Sequence, residues 1–183
     1  MSNSNRTNST RKIAINGMMI ALVFLATYVT KIPTAVGPFN LGDSVIIIAA
    51  VLLGRKSGSL AGAIGSAIAD IAMGYQHFAP VTFVVKGLEG FVAGFIVYAL
   101  SKRFKEKKHV VILVASVAAS IVMVSGYFFA ELYVMRLFDE TMGIAAALRD
   151  LPVNLVQGGA CAVVGYILSV ALDRFKVTKF IAN

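Results

Sequence analysis

The sequence has few of the residues that usually carry catalysis or bind metals. It contains no tryptophan, one cysteine and two histidines, and only 14% of its 183 residues are charged. The single cysteine, Cys161, excludes an intrachain disulfide and lies in an apolar segment, where a small buried side chain is expected. His77 lies alone in a predicted loop and is expected to be solvated. No His/Cys/Asp cluster has the spacing of a metal site, so no metal is predicted.

Motifs for enzymatic chemistry are missing as well. The sequence has no HExxH, no glycine-rich phosphate-binding loop and no nucleophile with a nearby base. Its two parts, residues 1–100 and 101–183, show no convincing internal repeat of the kind on which many secondary transporters are built. We therefore predict a protein that is not an enzyme and has no ATPase of its own.

Apolar residues are in excess. They make up 58% of the chain, and the mean hydropathy is +0.81, whereas soluble domains are roughly 45–50% apolar and about 25% charged. The net charge is +8, but the basic residues form short clusters between apolar runs, which argues against nucleic-acid binding and for membrane loops. The first ten residues are polar, and no cleavable signal peptide is expected. These features predict a multi-pass membrane protein.

Six segments are candidates for membrane-spanning helices, each of which needs about 20 mostly apolar residues. They cover residues 13–30, 41–54, 57–74, 79–101, 110–135 and 151–172. Arg55 and Lys56 separate the second from the third, because two adjacent cations would be costly in the middle of a bilayer. The predicted fold class is an all-α bundle of six transmembrane helices. It forms a single domain over residues 1–183, in which residues 1–10 are a disordered cytoplasmic tail.

The loop charges predict the orientation of this bundle. Most of the basic residues fall on one side of a six-pass model: Arg6, Arg11, Lys12, Arg55, Lys56, Lys102, Arg103, Lys105, Lys107, Lys108, Arg174, Lys176 and Lys179. The other side has only Lys31, Arg136 and Arg149, opposed by Asp43, Asp139, Glu140 and Asp150. By the positive-inside rule, both termini are predicted to lie in the cytoplasm.

Charged residues interrupt the fourth segment near its predicted outer end. Lys86 and Glu89 are three residues apart and therefore share one helix face. One interpretation is an intrahelical ion pair that faces the bundle. The other is a functional site, which is the default hypothesis for an ionisable residue inside a membrane.

More polar residues are predicted at a similar depth, whereas the inner halves of helices four to six carry almost none. This asymmetry predicts a pocket that opens to the outside and holds a small polar molecule between apolar walls, including Phe128. The predicted substrate-binding residues are Phe39, Asn40, Phe83, Lys86, Glu89, Tyr127, Glu131, Asn154 and Gln157. For Asn154 and Gln157, interhelical hydrogen bonding remains an alternative.

Small residues form a stripe on the first helix. Ala14, Gly17 and Ala21 share one face, and the small-xxx-small pair Gly17–Ala21 permits close approach of another helix. Because this stripe lies in the predicted cytoplasmic half, away from the pocket, we predict that it docks a partner protein.

Five pieces of sequence carry a family resemblance. They are FNLGDSVIIIAAVLLG (39–54), GSAIADIAMGY (65–75), APVTFVVKGLEGFVAGF (79–95), GYFFAE (126–131) and LPVNLVQG (151–158). These pieces occur in this order on six predicted helices. With them the chain resembles the substrate-binding S component of energy-coupling factor (ECF) vitamin transporters, in the riboflavin-transporter-like group.

The resemblance implies a binding subunit in the prokaryotic plasma membrane. It implies that the loop over residues 31–40 covers the site, and that the chain joins a membrane coupling (T) subunit and two cytoplasmic ATPases. ATP would be used by those ATPases, and this chain would carry no cofactor. The family's docking stripe is usually Ala-x-x-x-Ala, in place of which this chain has Gly17-x-x-x-Ala21.

The substrate is predicted to be hydroxymethylpyrimidine or pyridoxine. The set of KGLEG, Glu131, Asn154 and Gln157 looks most like family members assigned to those two ligands, and the lack of tryptophan argues against a large flavin ring. The alternative is a stand-alone ion-coupled secondary transporter of a small polar molecule, with Lys86 and Glu89 in an ion relay.

Overall fold

The computed structural model describes residues 3–34, 38–137 and 140–177. Six α-helices make up most of this part: α1 (Asn3–Val29), α2 (Gly42–Leu53), α3 (Arg55–Ala72), α4 (Ala79–Ser101), α5 (Lys108–Phe129) and α6 (Ile144–Arg174). A short 3₁₀ turn, Lys105–Lys107, precedes α5. A π-helical turn, Ala130–Val134, and a 3₁₀ turn, Met135–Leu137, follow it.

The α1–α2 connection forms a small β-hairpin. Strand β1 (Ile32–Pro33) pairs antiparallel with β2 (Pro38–Phe39), with Ile32 opposite Phe39 and Pro33 opposite Pro38. Residues 35–37 between the strands lie outside the described residues. The predicted covering loop over residues 31–40 thus contains a short piece of sheet.

Glycines set the spacing between α2, α3 and α4. A Cβ on Gly62 would meet the carbonyl of Lys86, one on Gly90 would meet the carbonyl of Gly58, and one on Gly58 would meet Ala50. With Ile46 of α2 also beside Gly62, these contacts show that α3 runs antiparallel to both neighbours. Gly54 makes the turn between α2 and α3. Its φ is 87°, a backbone conformation that glycine adopts without steric cost because it has no Cβ.

Helix directions alternate through the bundle. Val85 of α4 packs beside Gly126 of α5, and Ser120 of α5 donates a hydrogen bond to the carbonyl of Gly158 in α6. Consequently α1, α3 and α5 end where α2, α4 and α6 begin. We call this the cavity end, because the polar residues described below collect there. The opposite end carries the basic α2–α3 and α4–α5 junctions.

Within the described residues, four helical stretches are long and apolar enough to cross a membrane by length and composition. They are Ser9–Val29, Ala79–Ser101, Lys108–Leu137 and Ile144–Arg174. Helix α2 is apolar but has only 12 residues, which is about 18 Å at 1.5 Å per residue against a hydrocarbon core of about 30 Å. The bundle's outer surface carries many exposed Leu, Ile, Val and Phe side chains, as expected for contact with lipid.

Several helix boundaries differ from those predicted from the sequence. The segment predicted at 79–101 coincides with α4, but α1 begins at Asn3, so residues 3–10 are helical rather than a disordered tail. Helix α6 begins at Ile144, seven residues before the predicted start, and contains Pro152. Helix α5 ends at Phe129 and continues as the π-helical turn.

Candidate functional site

A cavity of about 300 Å³ lies at the cavity end. All six helices or their adjoining loops contribute to its wall, because each helix either begins or ends at this level. The lining residues are Thr27, Thr34, Pro38, Asn40, Ser66, Asp70, Tyr75, Phe78, Thr82, Lys86, Tyr127, Glu131, Asp150, Val153, Asn154 and Gln157. Most of the lining residues carry a polar group, and the wall includes three aromatic rings and three carboxyl groups.

Lys86 forms its main ion pair with a residue of another helix. Its Nζ donates to Oδ1 of Asp43, in the first turn of α2, and both side chains are buried. Oδ2 of the same carboxylate accepts a hydrogen bond from Nε2 of Gln157 at 2.9 Å. The position of Asp43 at a helix N-terminus further stabilises its negative charge. The ion pair therefore joins α2, α4 and α6 beneath the cavity.

Glu89 lies behind Lys86 rather than in the cavity wall. It is fully buried, and its Oε2 is 3.5 Å from Nζ of Lys86, at the same i, i+3 spacing that the sequence predicted. Neither carboxyl oxygen has a hydrogen-bond partner among the described residues. Glu89 is therefore connected to the cavity wall only through its contact with Lys86 among the described residues, and the intrahelical pair is the longer of the two that Lys86 makes.

Hydrogen bonds attach the α1–α2 loop to the cavity. The Asn40 N–H donates to Oε1 of Gln157 at 3.0 Å, and Oδ1 of Asn40 accepts from the N–H of Gly42 at 3.0 Å. The N–H of Leu41 donates to Oγ1 of Thr30 at 2.8 Å. The chain entering α2 is therefore held by both α1 and α6.

The α4–α5 contact supplies an aromatic wall. Oγ1 of Thr82 and the hydroxyl of Tyr127 are hydrogen-bonded at 3.0 Å, and Nζ of Lys86 lies 5.4 Å from the centroid of the Tyr127 ring. The π-helical turn directly after α5 contains Glu131. Such turns occur frequently at functional sites, and here the turn places a carboxyl group in the wall.

Three lining side chains leave a buried polar atom without a hydrogen-bond partner among the described residues: Thr27 Oγ1, Ser66 Oγ and Glu131 Oε2. Buried polar groups are normally satisfied, and an exception calls for an explanation such as an absent ligand or water. The cavity is thus equipped to hydrogen-bond a small molecule. No group of three or more His, Cys, Asp or Glu side chains in the described ranges is arranged to hold a metal ion.

The structure brings six of the nine predicted binding residues into one cavity wall: Asn40, Lys86, Tyr127, Glu131, Asn154 and Gln157. It does not bring the predicted aromatic walls there. The side chain of Phe83 is 48% exposed on the outside of α4, and Phe39 lies in the β-hairpin. Phe39, Phe83 and Phe128 are therefore not part of the wall. The rings that line it are Tyr75, Phe78 and Tyr127.

Asp43 and Asp150 were not predicted as site residues, because both were counted only among the charges of the predicted outer side. Asp43 is buried as the partner of Lys86, whereas Asp150 lies in α6, lines the cavity and accepts a bond from Nε of Arg149 at 2.9 Å. Asp43 stands only three residues after Asn40, inside a motif already singled out, and that proximity was the available signal. Thr27, Ser66 and Thr82 carried no signal, because isolated hydroxyl residues are common in membrane helices.

The predicted docking stripe lies on the surface. Ala14, Gly17 and Ala21 are all exposed, and a Cβ added to Gly17 would meet nothing within 4 Å. The stripe therefore does not serve packing between the described helices.

Comparisons with known proteins agree with this architecture. The model of the family described as "ECF-type riboflavin transporter, S component" matches residues 7–174. The chain belongs to this family. It is thus the S component, the substrate-binding subunit, of an ECF transporter: a transporter subunit rather than an enzyme, in a family of multi-pass cell-membrane proteins that work with an ECF transporter module.

Two further similarities are informative. A Pyrococcus woesei protein described as "Uncharacterized protein in gap 3'region" is 34% identical over 143 residues, which cover 78% of this S component and 87% of that protein. A solved structure of the S component of a bacterial ECF transporter matches with a TM-score of 0.67 and 20% identity. The match covers 92% of this chain and 98% of the other. At this identity the match establishes the fold of the S component.

Proposed function

We propose that this S component binds a small hydroxylated aromatic heterocycle, of the hydroxymethylpyrimidine or pyridoxine type, for ATP-driven uptake. The observation that carries this proposal is the polar cavity in which Lys86, Tyr127, Glu131 and Asn154 converge. A ligand with ring nitrogens and hydroxymethyl groups matches its mixture of donors and acceptors.

The size of the cavity favours a small ligand. Its volume of about 300 Å³ is at the lower end of the range of roughly 300–1,000 Å³ for small-molecule sites. A single substituted ring fits such a space with polar contacts on several sides. A flavin, with three fused rings and a ribityl chain, would fill or exceed it.

Riboflavin is the second candidate, because the matching family model carries that vitamin in its description. The rings of Tyr75, Phe78 and Tyr127 offer a stacking surface to either ligand. The two candidates differ in size, so a binding comparison separates them.

We also propose six membrane passes with both termini in the cytoplasm. The alternation of helix direction supports an even number of passes, with α2 and α3 as a hairpin around Gly54. The basic residues at the α2–α3 and α4–α5 junctions lie at the end opposite the cavity, and the positive-inside rule then opens the cavity to the outside.

The proposed partners are a membrane coupling subunit and two cytoplasmic ATPases, which would hydrolyse the ATP. The exposed stripe of Ala14, Gly17 and Ala21 is the proposed docking face, because small residues permit close helix contact. An exposed glycine does not stabilise a membrane-facing helix, so the stability of α1 alone does not account for Gly17.

The test is a calorimetric titration of the purified, detergent-solubilised full chain with pyridoxine, hydroxymethylpyrimidine and riboflavin in separate experiments. The proposal expects saturable one-to-one binding of one of the two small ligands and much weaker binding of riboflavin. Tight binding of riboflavin alone would move the assignment to the second candidate. Uptake that depends on an ion gradient, without the ATPases, would favour a stand-alone transporter.

A further inference from the structure

The charges that line the cavity are unequally neutralised. Among the described lining residues the basic side chain is that of Lys86, and it forms an ion pair with Asp43. Of the three lining carboxyl groups, Asp150 is paired with Arg149, whose side chain is 56% exposed. Asp70 interacts with Thr82 and Lys86. That leaves the carboxyl group of Glu131.

Glu131 is buried and incompletely partnered. Its side chain is 3% exposed, and its Oε2 has no hydrogen-bond partner among the described residues. The charged groups that interact with it are Asp150, which repels it, and Arg149, which is already bonded to Asp150. A buried carboxylate without a cation or donors is costly, so such a group is either protonated or neutralised by a bound cation. A cationic ligand group in the cavity would supply the missing counter-charge to the ionised form.

Thr27 and Ser66 provide an independent indication of a ligand. Both side chains line the same cavity from α1 and α3, both are buried, and both have unpartnered hydroxyl oxygens. A hydroxyl group can both donate and accept a hydrogen bond, so each of them can accept one from a ligand N–H. Three unpartnered groups that can accept a hydrogen bond therefore line a space in which the lysine is already paired.

From this arrangement we infer that the ligand carries a protonated amino group that lies against Glu131. The inference rests on the proposed function and narrows the substrate class to amino-substituted heterocycles. An ammonium group would donate a charge-assisted hydrogen bond to Oε2 of Glu131, which is stronger than a bond between neutral groups. A ligand with a hydroxyl in the same position offers one neutral donor and leaves the carboxylate without a counter-charge.

Pyridoxamine and pyridoxine form a matched pair of probes, because they differ only in an aminomethyl group in place of a hydroxymethyl group. We expect the full-length detergent-solubilised protein to bind pyridoxamine roughly tenfold to a hundredfold more tightly than pyridoxine at pH 7. In Glu131→Gln this ratio should fall to about one, and Glu131→Asp should restore part of it. Glu106→Gln, an exposed change at the opposite end, should leave the ratio unchanged.

The outcomes separate this inference from the proposed function. Equal binding of the two probes, or a preference that survives in a folded Glu131→Gln protein, overturns the amino-group inference and leaves the small-heterocycle assignment intact. If neither probe nor hydroxymethylpyrimidine binds, both statements are overturned. Size-exclusion profiles and melting temperatures establish whether each variant is folded. A loss of the preference for pyridoxamine is interpreted only for variants that are folded.

Discussion

Lys86 of α4 is paired with Asp43 of α2 in preference to Glu89, the acidic residue one turn along its own helix. The contact to Glu89 is 3.5 Å and lacks hydrogen-bond geometry, whereas Asp43 is hydrogen-bonded to Nζ and to Gln157 as well. The ion pair is therefore a tertiary contact that ties three helices together beneath the cavity. Its loss should affect stability as well as binding.

Replacing the buried lysine should destabilise the bundle. Lys86→Met leaves Asp43 and Glu89 buried without their cation, and removing one partner of a buried pair costs about 3–5 kcal/mol. The double variant Lys86→Met, Asp43→Asn should recover part of this loss, since one of the two uncompensated charges is then gone. Denaturant titration in detergent measures the free energy of unfolding. Lys102→Met, an exposed control, should change it little, and a similar effect of both lysine changes would contradict the buried network.

Asn154 should contribute to binding without contributing to the fold. It lines the cavity from α6, and Asn154→Ala removes hydrogen-bonding groups there with little change in packing. We expect binding of the small heterocycle to weaken by about threefold to tenfold with an unchanged melting temperature. Leu155→Ala, on the exposed side of the same helix, is the matched control. Equal affinities of wild type and Asn154→Ala would remove Asn154 from the site.

Close packing of α3 and α4 should not tolerate a methyl group. In Gly90→Ala the added Cβ would collide with the backbone of Gly58, and such overpacking costs about 1–3 kcal/mol. Gly159→Ala is the comparison, because nothing lies within 4 Å of a Cβ there. Thermal unfolding monitored by circular dichroism should show a lower melting temperature for Gly90→Ala alone. Identical melting curves would mean that α3 and α4 lie farther apart than described.

Assembly with the transporter module should depend on the exposed stripe of α1. Gly17→Leu adds a bulky side chain to a position with open space, so the isolated subunit should stay folded and still bind ligand. Co-purification with the coupling subunit and the ATPases should be lost, because close helix contact is blocked. Gly159→Leu places the same side chain at an equally open glycine of α6 and should assemble normally. Normal assembly of Gly17→Leu would show that the stripe is not the docking face.

The sequence predicted well those features that are determined locally. The bounds of α4 were correct because an apolar run, interrupted by Lys86 and Glu89, is flanked there by a polar loop and by Lys102 and Arg103. The start of α6 was placed too late, since Pro152 is typical of a first helical turn yet lies in the ninth position of the helix. The π-helical turn around Glu131 has no signature in residue type or spacing.

Most polar members of the candidate site were predictable for a different reason. A polar residue in an apolar helix is conspicuous, so Lys86, Glu131 and Gln157 stood out individually. Which of them meet was not predictable, because the pairing of Lys86 with Asp43 joins residues 43 positions apart and depends on helix packing. The prediction of the aromatic wall was wrong for the same reason. Phe83 and Phe128 are near the level of the cavity, but the packing of their helices leaves both side chains out of its wall.

The central claim is that this chain binds a small aromatic heterocycle in the cavity beside Lys86. Its most direct test is mass spectrometry of the small molecules released when the freshly purified, detergent-solubilised protein is denatured, with the protein concentration measured in parallel. We expect a pyridine or pyrimidine in about one-to-one ratio to protein, and a lower ratio in Asn154→Ala. A stoichiometric flavin would contradict the assigned substrate, and a protein that is empty and binds none of the three candidates on titration would contradict the binding role itself.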